Sequence, residues 1–171
     1  MIVREDIIRA VNESLPEGGN LFPVEVKVNG DEVEVFVDSD GAGDDGKPRG
    51  VTVDDCTALA KAIEAKFDRD VEDFSLTVSS AGIGQPLRVM RQYRKLVGRR
   101  VEVLMASGAK FVATLDDAHP GPDGAVEGGS VTLSWDEKQK IEGKKRPEIV
   151  TVTRTVPLDE IKTTKEYIDF R

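Results

Sequence analysis

The residue types most often used as a nucleophile and its base each occur once in this sequence, as Cys56 and His119. A nucleophilic thiol needs a base within hydrogen-bonding distance and a lowered pKa. Cys56 lies in the first turn of a predicted helix, where the helix dipole favours a thiolate, but it also lies on the apolar stripe of that helix. His119 lies in a predicted turn far along the chain. We therefore expect Cys56 to be a core residue and predict no Cys–His dyad.

The sequence also lacks the short motifs of the common cofactor and metal sites. It contains no phosphate-binding loop with its lysine, no dinucleotide fingerprint, no nucleophile elbow and no Cys/His cluster at metal-ligand spacing. Its many carboxylates are scattered over positions that we expect to be exposed. We predict no catalytic residue, no cofactor and no metal, and an enzyme of an unrecognised type stays open as an alternative.

An acidic, glycine-rich loop at residues 38–50 contains two partial motifs. Asp38 and Asp40 begin it as they would begin a calcium-binding loop, but Arg49 occupies the twelfth position, where a glutamate is needed. Residues 43–46 spell GDDG, which fits the GxxG loop of RNA-binding KH domains, but the two aspartates would repel phosphate. We therefore expect a solvated loop without a ligand.

A basic segment at residues 88–100 is the clearest binding signal. When residues 88–98 are wound at about 100° per residue, the cations Arg88, Arg91, Arg94 and Lys95 fall on one side. The apolar residues fall on the other side, and they are Val89, Met90, Tyr93, Leu96 and Val97. Arg99 and Arg100 extend the positive charge into the first strand of the second domain. This pattern predicts a short helix with a basic outer face, ended by Gly98. Such a face suits RNA or an acidic protein surface, and the alternative is that it pairs with acidic residues of the same chain.

Residues 136–147 form a second basic stretch between two predicted strands. Its cations are Lys138, Lys140, Lys144, Lys145 and Arg146. The position predicts a hairpin loop. A loop that only increases solubility and a loop that binds a partner are both compatible with this composition.

The net charge of −8 is unevenly distributed along the chain. Up to Gln85 there are 8 Lys and Arg against 19 Asp and Glu, and from Pro86 onward there are 16 against 13. The change coincides with a Gly/Pro-rich turn at residues 82–86, and such a coincidence is typical of a domain boundary. We predict an acidic domain at residues 1–84 and a second domain at residues 85–171, with one unevenly charged domain as the alternative.

The predicted first domain contains a helix, a hairpin, a second helix and a strand. Apolar residues recur at helical spacing in residues 3–15 and again in residues 52–67, where Thr52 can cap the first turn. The two apolar stripes are Val3, Ile7, Val11 and Leu15, and then Cys56, Leu59, Ala60, Ile63 and Phe67. Residues 74–80 alternate like a strand. This order favours a three-stranded sheet with both helices on one face and a right-handed crossover.

The hairpin of the first domain is predicted from two runs of alternating valines on either side of Asn29-Gly30. Asn-Gly favours a two-residue turn because both residues tolerate positive φ angles. The predicted facing pairs are Val26 with Val33 and Val24 with Val35.

The second domain has the pattern of a small all-β fold. Short alternating runs at residues 99–105, 109–115, 131–135 and 148–156 predict four strands, and a fifth follows the segment PLDEI. Five short strands behind the basic helix favour a small SH3- or Sm-like barrel. The predicted fold class of the whole chain is therefore α+β.

Four segments resemble, in order and over nearly the whole chain, the ribosome maturation factor RimP family. They are VDDCTALAKAIEAKFD, LTVSSAGIGQPL, GRRVEVLM and VPLDEIKTTKEYIDF. The family has a similar Asp-Asp-Cys helix start, a strand ending Val-Ser-Ser-Pro-Gly, an Arg-Pro-Leu turn and a Gly-Arg step into a barrel. The Ser-Ser-x-Gly turn with Pro-Leu behind it is the most specific part. The resemblance implies a KH-like α/β domain followed by an SH3/Sm-like barrel.

The resemblance also implies a function. RimP proteins are non-enzymatic, cofactor-free cytoplasmic factors that bind the free small ribosomal subunit and promote its maturation. The implied partners are rRNA and a small-subunit ribosomal protein near the decoding centre. The alternative is a general RNA-binding or protein-interaction module with no role in ribosome assembly. The expected binding residues are Ser79, Ser80, Gly82, Arg88, Arg91, Arg94, Lys95, Arg99 and Arg100.

The sequence departs from the family pattern at the turn between the predicted domains. Ala81 stands where the family usually has proline, and Gly84-Gln85 stands where Asp-Arg is common. No contact of that arginine can be transferred to Gln85, and Arg88 is a candidate to replace it.

The compartment is predicted from what the sequence lacks. No apolar run approaches the roughly 18–20 residues of a membrane span, and the first residues do not resemble a signal peptide. A single cysteine cannot form an internal disulfide, which fits a reducing compartment. We expect a cytoplasmic monomer that does not bind membranes.

Overall fold

The computed structural model describes residues 2–41, 50–81 and 85–168. The chain divides into two compact units, Met1–Gly82 and Ile83–Arg171. None of the helices in the described residues combines the length and apolarity that crossing a bilayer requires. Helices and two separate sheets make the fold class α+β, as predicted.

The first unit has two helices and a three-stranded sheet. Its elements are α1 (Arg4–Ser14), β1 (Leu21–Asn29), β2 (Glu32–Ser39), α2 (Val53–Glu64) and β3 (Ser75–Ser80). The strand order is β1-β2-β3, with β1 antiparallel and β3 parallel to the central β2. The predicted order of helix, hairpin, helix and strand is confirmed.

The core of the first unit lies where both helices meet the sheet. Val33, Val35 and Val37 alternate along β2 and are all but fully buried, because their side chains point to the helix-covered face. Ile7 of α1 and Ile63 of α2 are fully buried in the same cluster. The prediction that Val3 belongs to the buried stripe is wrong. Val3 precedes the first residue of α1 and is 48% exposed.

The predicted register of the β1–β2 hairpin is wrong by one residue in the turn. Asn29 pairs with Glu32, so the two loop residues are Gly30 and Asp31. Of these only Gly30 has a positive φ, +64°, as in a type II′ turn with glycine first. The observed facing pairs are Val28 with Val33 and Val26 with Val35, and a bulge between Pro23 and Glu25 interrupts the ladder at Val24.

Helix α2 begins with a reciprocal capping box. The backbone N–H of Asp55 donates to Oγ1 of Thr52 (3.1 Å), and the N–H of Thr52 donates to Oδ2 of Asp55 (3.0 Å). The predicted cap is therefore confirmed. Cys56 packs against the core and is partly buried, as expected for a residue on the apolar stripe.

The second unit has one short helix and a five-stranded antiparallel sheet. Its elements are α3 (Met90–Lys95), β4 (Arg100–Met105), β5 (Lys110–His119), β6 (Ser130–Gln139), β7 (Glu148–Pro157) and β8 (Ile161–Glu166). Two single 3₁₀ turns lie at Pro122–Gly124 and Leu158–Glu160. The strand order is β7-β6-β5-β4-β8, so all five predicted strands are present.

Two strands of the second unit are longer than predicted. β6 continues four residues beyond Trp135 to Gln139, because each of these residues pairs with β7. β5 continues to His119, which pairs with Ser130 of β6. The prediction that His119 lies in a turn is therefore wrong. In both cases cross-strand hydrogen bonding extends the strand through polar residues with weak β-propensity.

The core of the second unit lies between the sheet and α3. Val101, Leu115 and Leu133 have no exposed surface and come from three adjacent strands. The helix contributes Met90 and Tyr93 to the same cluster, and Leu96, which directly follows the helix, is buried with them. Val97, which the helical pattern places on the same side, lies two residues beyond the end of the helix and is 41% exposed. The amphipathic helix is confirmed, but it is shorter than its pattern.

Candidate functional site

Helix α3 is fixed at its start by a buried glutamine. Oε1 of Gln92 accepts hydrogen bonds from the backbone N–H groups of Arg88 (2.7 Å) and Val89 (3.2 Å). These two N–H groups precede the helix and have no intrahelical carbonyl to bond. Gln92 is only 4% exposed, and the helical pattern places it on neither predicted face. Its role in holding Arg88 next to the helix is found only in the structure.

Three predicted binding residues share the outer surface of α3. Arg91, Arg94 and Lys95 stand at i, i+3 and i+4, the spacing at which helical side chains are neighbours. Because the apolar face of α3 is buried in the core, this basic face is turned away from it. Arg94 is exposed, whereas Arg91 and Lys95 are partly buried. The structure thus brings together three of the predicted cations.

The cations of this segment differ in their interactions within the chain. Arg88, Arg91 and Lys95 each take part in a further interaction in the protein. For these three residues, pairing within the chain therefore stays open as an alternative to ligand binding. In the described part of the chain, no ion pair of Arg94 is found.

The last two predicted cations lie where α3 passes into β4. Arg99 forms an ion pair with Glu166 of β8, with 3.4 Å between Nη1 and Oε1. The pair is partly exposed, so it contributes little stability. Arg100 is the first residue of β4, opposite Thr114 of β5, and its side chain is exposed. It lies at the rim of a surface groove.

The groove opens where β6 diverges from β5. The pairing of β5 with β6 ends at Thr114 and Ser134, and the groove lies beyond this pair. Phe111 and Trp135 contact each other there, with ring centroids 5.2 Å apart. The other lining residues are Arg100, Val112, Ala113, Asp136 and Thr151. The aromatic pair comes from two separate strands, so no sequence spacing could have revealed it.

Ser79 and Ser80, the remaining predicted site residues, are the last two residues of β3 in the first unit. Their backbones pair with Phe36 and Val37 of β2. Ser79 is partly buried and Ser80 is exposed. Gly82, which was predicted with them, lies outside the described residues.

The thiol of Cys56 lacks the environment of a nucleophile. Partial burial, and then the neighbouring Asp55 carboxylate, raise the pKa of Cys56. The effect is the opposite of the dipole effect that a reactive cysteine at a helix start would need. Cys56 belongs to the first unit, whereas His119 belongs to the second.

The His119 imidazole and two threonine hydroxyl groups form a hydrogen-bonded row on the surface of the second sheet. Its Nε2 lies 3.0 Å from Oγ1 of Thr132, which lies 3.0 Å from Oγ1 of Thr155. These are side chains of three adjacent strands, and all are at least partly exposed.

Within the described residues, no group of three or more acidic, histidine or cysteine side chains could hold a metal ion. The GDDG segment and Arg49 lie outside those residues.

Comparison with known proteins gives a consistent result for both halves of the chain. The model of the RimP N-terminal domain family matches residues 7–84. A protein named "Ribosome maturation factor RimP" from Porphyromonas gingivalis is 34% identical over 163 residues, which cover 95% of this chain and 96% of that protein. A protein of the same name from Christiangramia forsetii is 32% identical over 173 residues, covering 99% of this chain and all of that protein. Since this similarity extends through both units, the chain belongs to the RimP family.

Proposed function

We propose that this protein is a ribosome maturation factor that binds the free small ribosomal subunit and promotes its maturation without catalysing a reaction. The observation that carries this proposal is the likeness over the full chain to proteins named ribosome maturation factor RimP. The raised pKa of Cys56, the one thiol in the sequence, argues against a nucleophilic cysteine.

The proposed contacts are made by the basic face of α3 with neighbouring cations of the second unit and, as a separate group, by first-unit residues at or just after the end of β3 in the sequence. The full proposed set is Ser79, Ser80, Gly82, Arg88, Arg91, Arg94, Lys95, Arg99 and Arg100. Arg91, Arg94 and Lys95 carry the argument, because the buried opposite face of the helix holds them in a fixed arrangement. Preorganised cations can contact rRNA phosphates with little additional loss of side-chain entropy.

We further propose that the five-stranded sheet is an SH3/Sm-like barrel. β7 and β8 form opposite edges of the sheet, yet only residues 158–160 connect them. A flat five-stranded sheet would separate its edges by about 19 Å. Four Cα steps span less than about 15 Å, so the sheet must curl to bring its edges together. The α-β-β-α-β order of the first unit supports a KH-like domain, with the boundary between the domains at residues 84 and 85.

The remaining parts of the proposal concern partners and compartment. The acidic first domain is suited to a basic ribosomal protein near the decoding centre, because opposite charges steer association. The protein acts as a cytoplasmic monomer without a cofactor or a membrane. The alternative, a general RNA-binding or protein-interaction module, makes different predictions about which particles the protein accompanies.

Sedimentation of cell extracts tests the function. We expect the protein to travel with free small subunits, and more strongly in cells whose small-subunit assembly is stalled. We also expect cells without the protein to accumulate incomplete small subunits. A protein that stays at the top of the gradient under all of these conditions is not a maturation factor.

A salt titration tests the contact surface separately. Each phosphate contact contributes about −0.9 to the slope of log affinity against log salt on duplex nucleic acid, and about −0.7 on single strands. Replacing Arg91, Arg94 and Lys95 together by Ala should therefore make the slope for small subunits shallower by about 2 to 3. An unchanged slope would show that the three cations do not contact phosphate, and it would favour the alternative that they pair within the chain. A matched control removes the exposed cations Arg9, Lys61 and Lys162, and its slope should equal that of the wild type.

A further inference from the structure

The outer halves of β6 and β7 form a two-stranded ribbon that no third strand covers. β6 pairs with β7 along its whole length, Ser130–Gln139, but with β5 only as far as Ser134. Residues 135–139 of β6 therefore pair only with residues 148–152 of β7. Residues 140–147 connect them. We call residues 135–152 the ribbon arm.

The acidic side chains of the ribbon arm are bonded within it. The Glu137 carboxylate accepts hydrogen bonds from Nε1 of Trp135 (3.0 Å) and Nε2 of Gln139 (3.2 Å), which lower the pKa of Glu137. Lys144 forms an ion pair with Glu148. Residues 135, 137 and 139 point to one side of β6 because strand side chains alternate. Glu148 lies on the same side because it pairs with Gln139 across the ribbon. Two acids of the ribbon arm, Glu137 and Glu148, therefore have bonding partners on this side.

The other side and the tip of the ribbon arm are cationic. Residues 138–147 contain five cations and one acid, Glu142. Lys138, Lys140, Lys145 and Arg146 are all exposed. Among the described residues, none of these four forms an ion pair. Asp136, at the base of this side, accepts a hydrogen bond from Thr151 (2.8 Å). Four uncompensated cations thus lie close together at the end of a ribbon in a protein whose net charge is −8.

The chemistry of the tip distinguishes between kinds of anionic partner. Lysine is depleted in protein–protein interfaces, which are instead anchored by aromatic and apolar side chains in pockets. Single-stranded nucleic acid is usually bound by aromatic side chains on which bases stack. Residues 138–147 contain no aromatic residue. Exposed cations without stacking groups are suited to the regularly spaced phosphates of a duplex, which proteins contact by shape and charge.

We propose that the tip of the ribbon arm binds the phosphate backbone of double-stranded RNA through Lys138, Lys140, Lys145 and Arg146. This contact is separate from the basic face of α3 and does not depend on the proposed function. It provides the second unit with two cationic surfaces, one on a helix packed against the core and one on a two-stranded ribbon that no third strand covers.

Binding of the full chain to a fluorescent RNA duplex of mixed sequence tests the proposal. Affinity is measured by anisotropy between about 50 and 200 mM salt. The ribbon variant replaces Lys138, Lys140, Lys145 and Arg146 by Ser. Its slope of log affinity against log salt should be shallower than that of the wild type by about 3 to 4, if all four cations contact phosphates. An unchanged slope would mean that the arm only increases solubility, and it would overturn the proposal.

A charge-matched control separates local contact from net charge. It replaces four exposed cations elsewhere, Arg9, Lys61, Lys110 and Lys162, by Ser and therefore has the same net charge as the ribbon variant. The control should keep the wild-type slope. An equal loss in both variants would show a nonspecific charge effect and contradict the proposal. The Trp135 emission spectrum verifies that the arm is folded in the ribbon variant, because Trp135 donates to Glu137 at its base.

Two further measurements distinguish duplex RNA from the other candidate partners, which are single-stranded RNA and protein. A single RNA strand of the same length should bind the ribbon variant and the wild type alike, and equal losses on both RNAs would refute the duplex assignment.

Ile149 is 69% exposed and pairs with Lys138 on the ribbon arm. Ile149→Thr should leave duplex binding unchanged. If this variant instead weakens association with small subunits while duplex binding is unaffected by either variant, the arm binds a protein. If the wild type binds the RNA duplex through the ribbon arm but does not associate with small subunits, the proposed function is wrong and the ribbon contact stands.

Discussion

Individual arginines of this protein have different physical roles that their charge alone does not reveal. Arg69 stacks on Phe74, with its guanidinium carbon 4.1 Å from the ring centroid, and pairs with Glu64 (3.7 Å) and Asp73 (3.8 Å). These contacts hold the segment between α2 and β3. Arg94, in contrast, lies on an exposed helical face. Only the second kind of arginine is available to a phosphate, and the sequence cannot distinguish the two.

Cys56 provides the prediction at the scale of a single residue. Because burial and the Asp55 carboxylate raise its pKa, less thiolate is present at neutral pH than in an unperturbed cysteine. The rate of alkylation by iodoacetamide should therefore reach half its maximum at a higher pH in the folded protein than in the chain unfolded by urea. Asp55→Asn keeps an oxygen for the Thr52 cap but removes the charge, so it should lower this midpoint. A folded midpoint at or below that of the unfolded chain would contradict the assignment of Cys56 to the core.

At the scale of secondary structure, each hairpin depends on where its turn begins. In the first unit the turn begins at Gly30, whose positive φ fixes the facing valine pairs. A turn displaced by one residue, as the Asn-Gly pattern suggests, would change every partner along β1 and β2. The turn residue therefore determines how the buried valines of β2 are arranged against β1.

Gly30→Ala should destabilise the first unit by about 1–2 kcal/mol. The methyl group would meet no atom within 4 Å, so the cost comes from the positive φ alone. Asp31→Ala is the matched control, since Asp31 is the other loop residue and has no positive φ. Urea unfolding followed by far-UV circular dichroism measures both. Equal effects of the two substitutions would show that the turn does not begin at Gly30.

Most elements could be predicted from the sequence, because periodicity reports which side chains are buried. The valines of β2 and the stripe of α3 around Tyr93 are examples. Features that depend on a neighbouring strand could not be predicted. The charged residues 136–139 have the composition of a loop, yet pairing with β7 makes them a strand. The burial of Gln92 likewise depends on local backbone N–H groups that no periodicity describes. The cations of the candidate site were identifiable, but their individual surroundings were not.

At the scale of the whole molecule, each unit has a hydrophobic core of its own. The first core is built from both helices and the sheet around Val35, and the second from α3 and the strands around Leu133. Each core includes side chains with no exposed surface, such as Ile63 in the first unit. A unit that buries its own core can unfold cooperatively by itself, so two transitions are expected.

The two cores can be perturbed one at a time, and the only tryptophan makes the outcome visible. Trp135 lies in the second unit, so its fluorescence follows the unfolding of that unit, whereas circular dichroism follows both. Ile63→Ala and Leu133→Ala each remove a fully buried side chain, and each should cost about 2–5 kcal/mol in its own unit. We therefore expect Leu133→Ala to lower the urea midpoint seen by tryptophan fluorescence. Ile63→Ala should lower only a transition seen by circular dichroism. If Ile63→Ala lowers the fluorescence midpoint as far as Leu133→Ala does, the two units unfold as one cooperative structure and their cores are not independent.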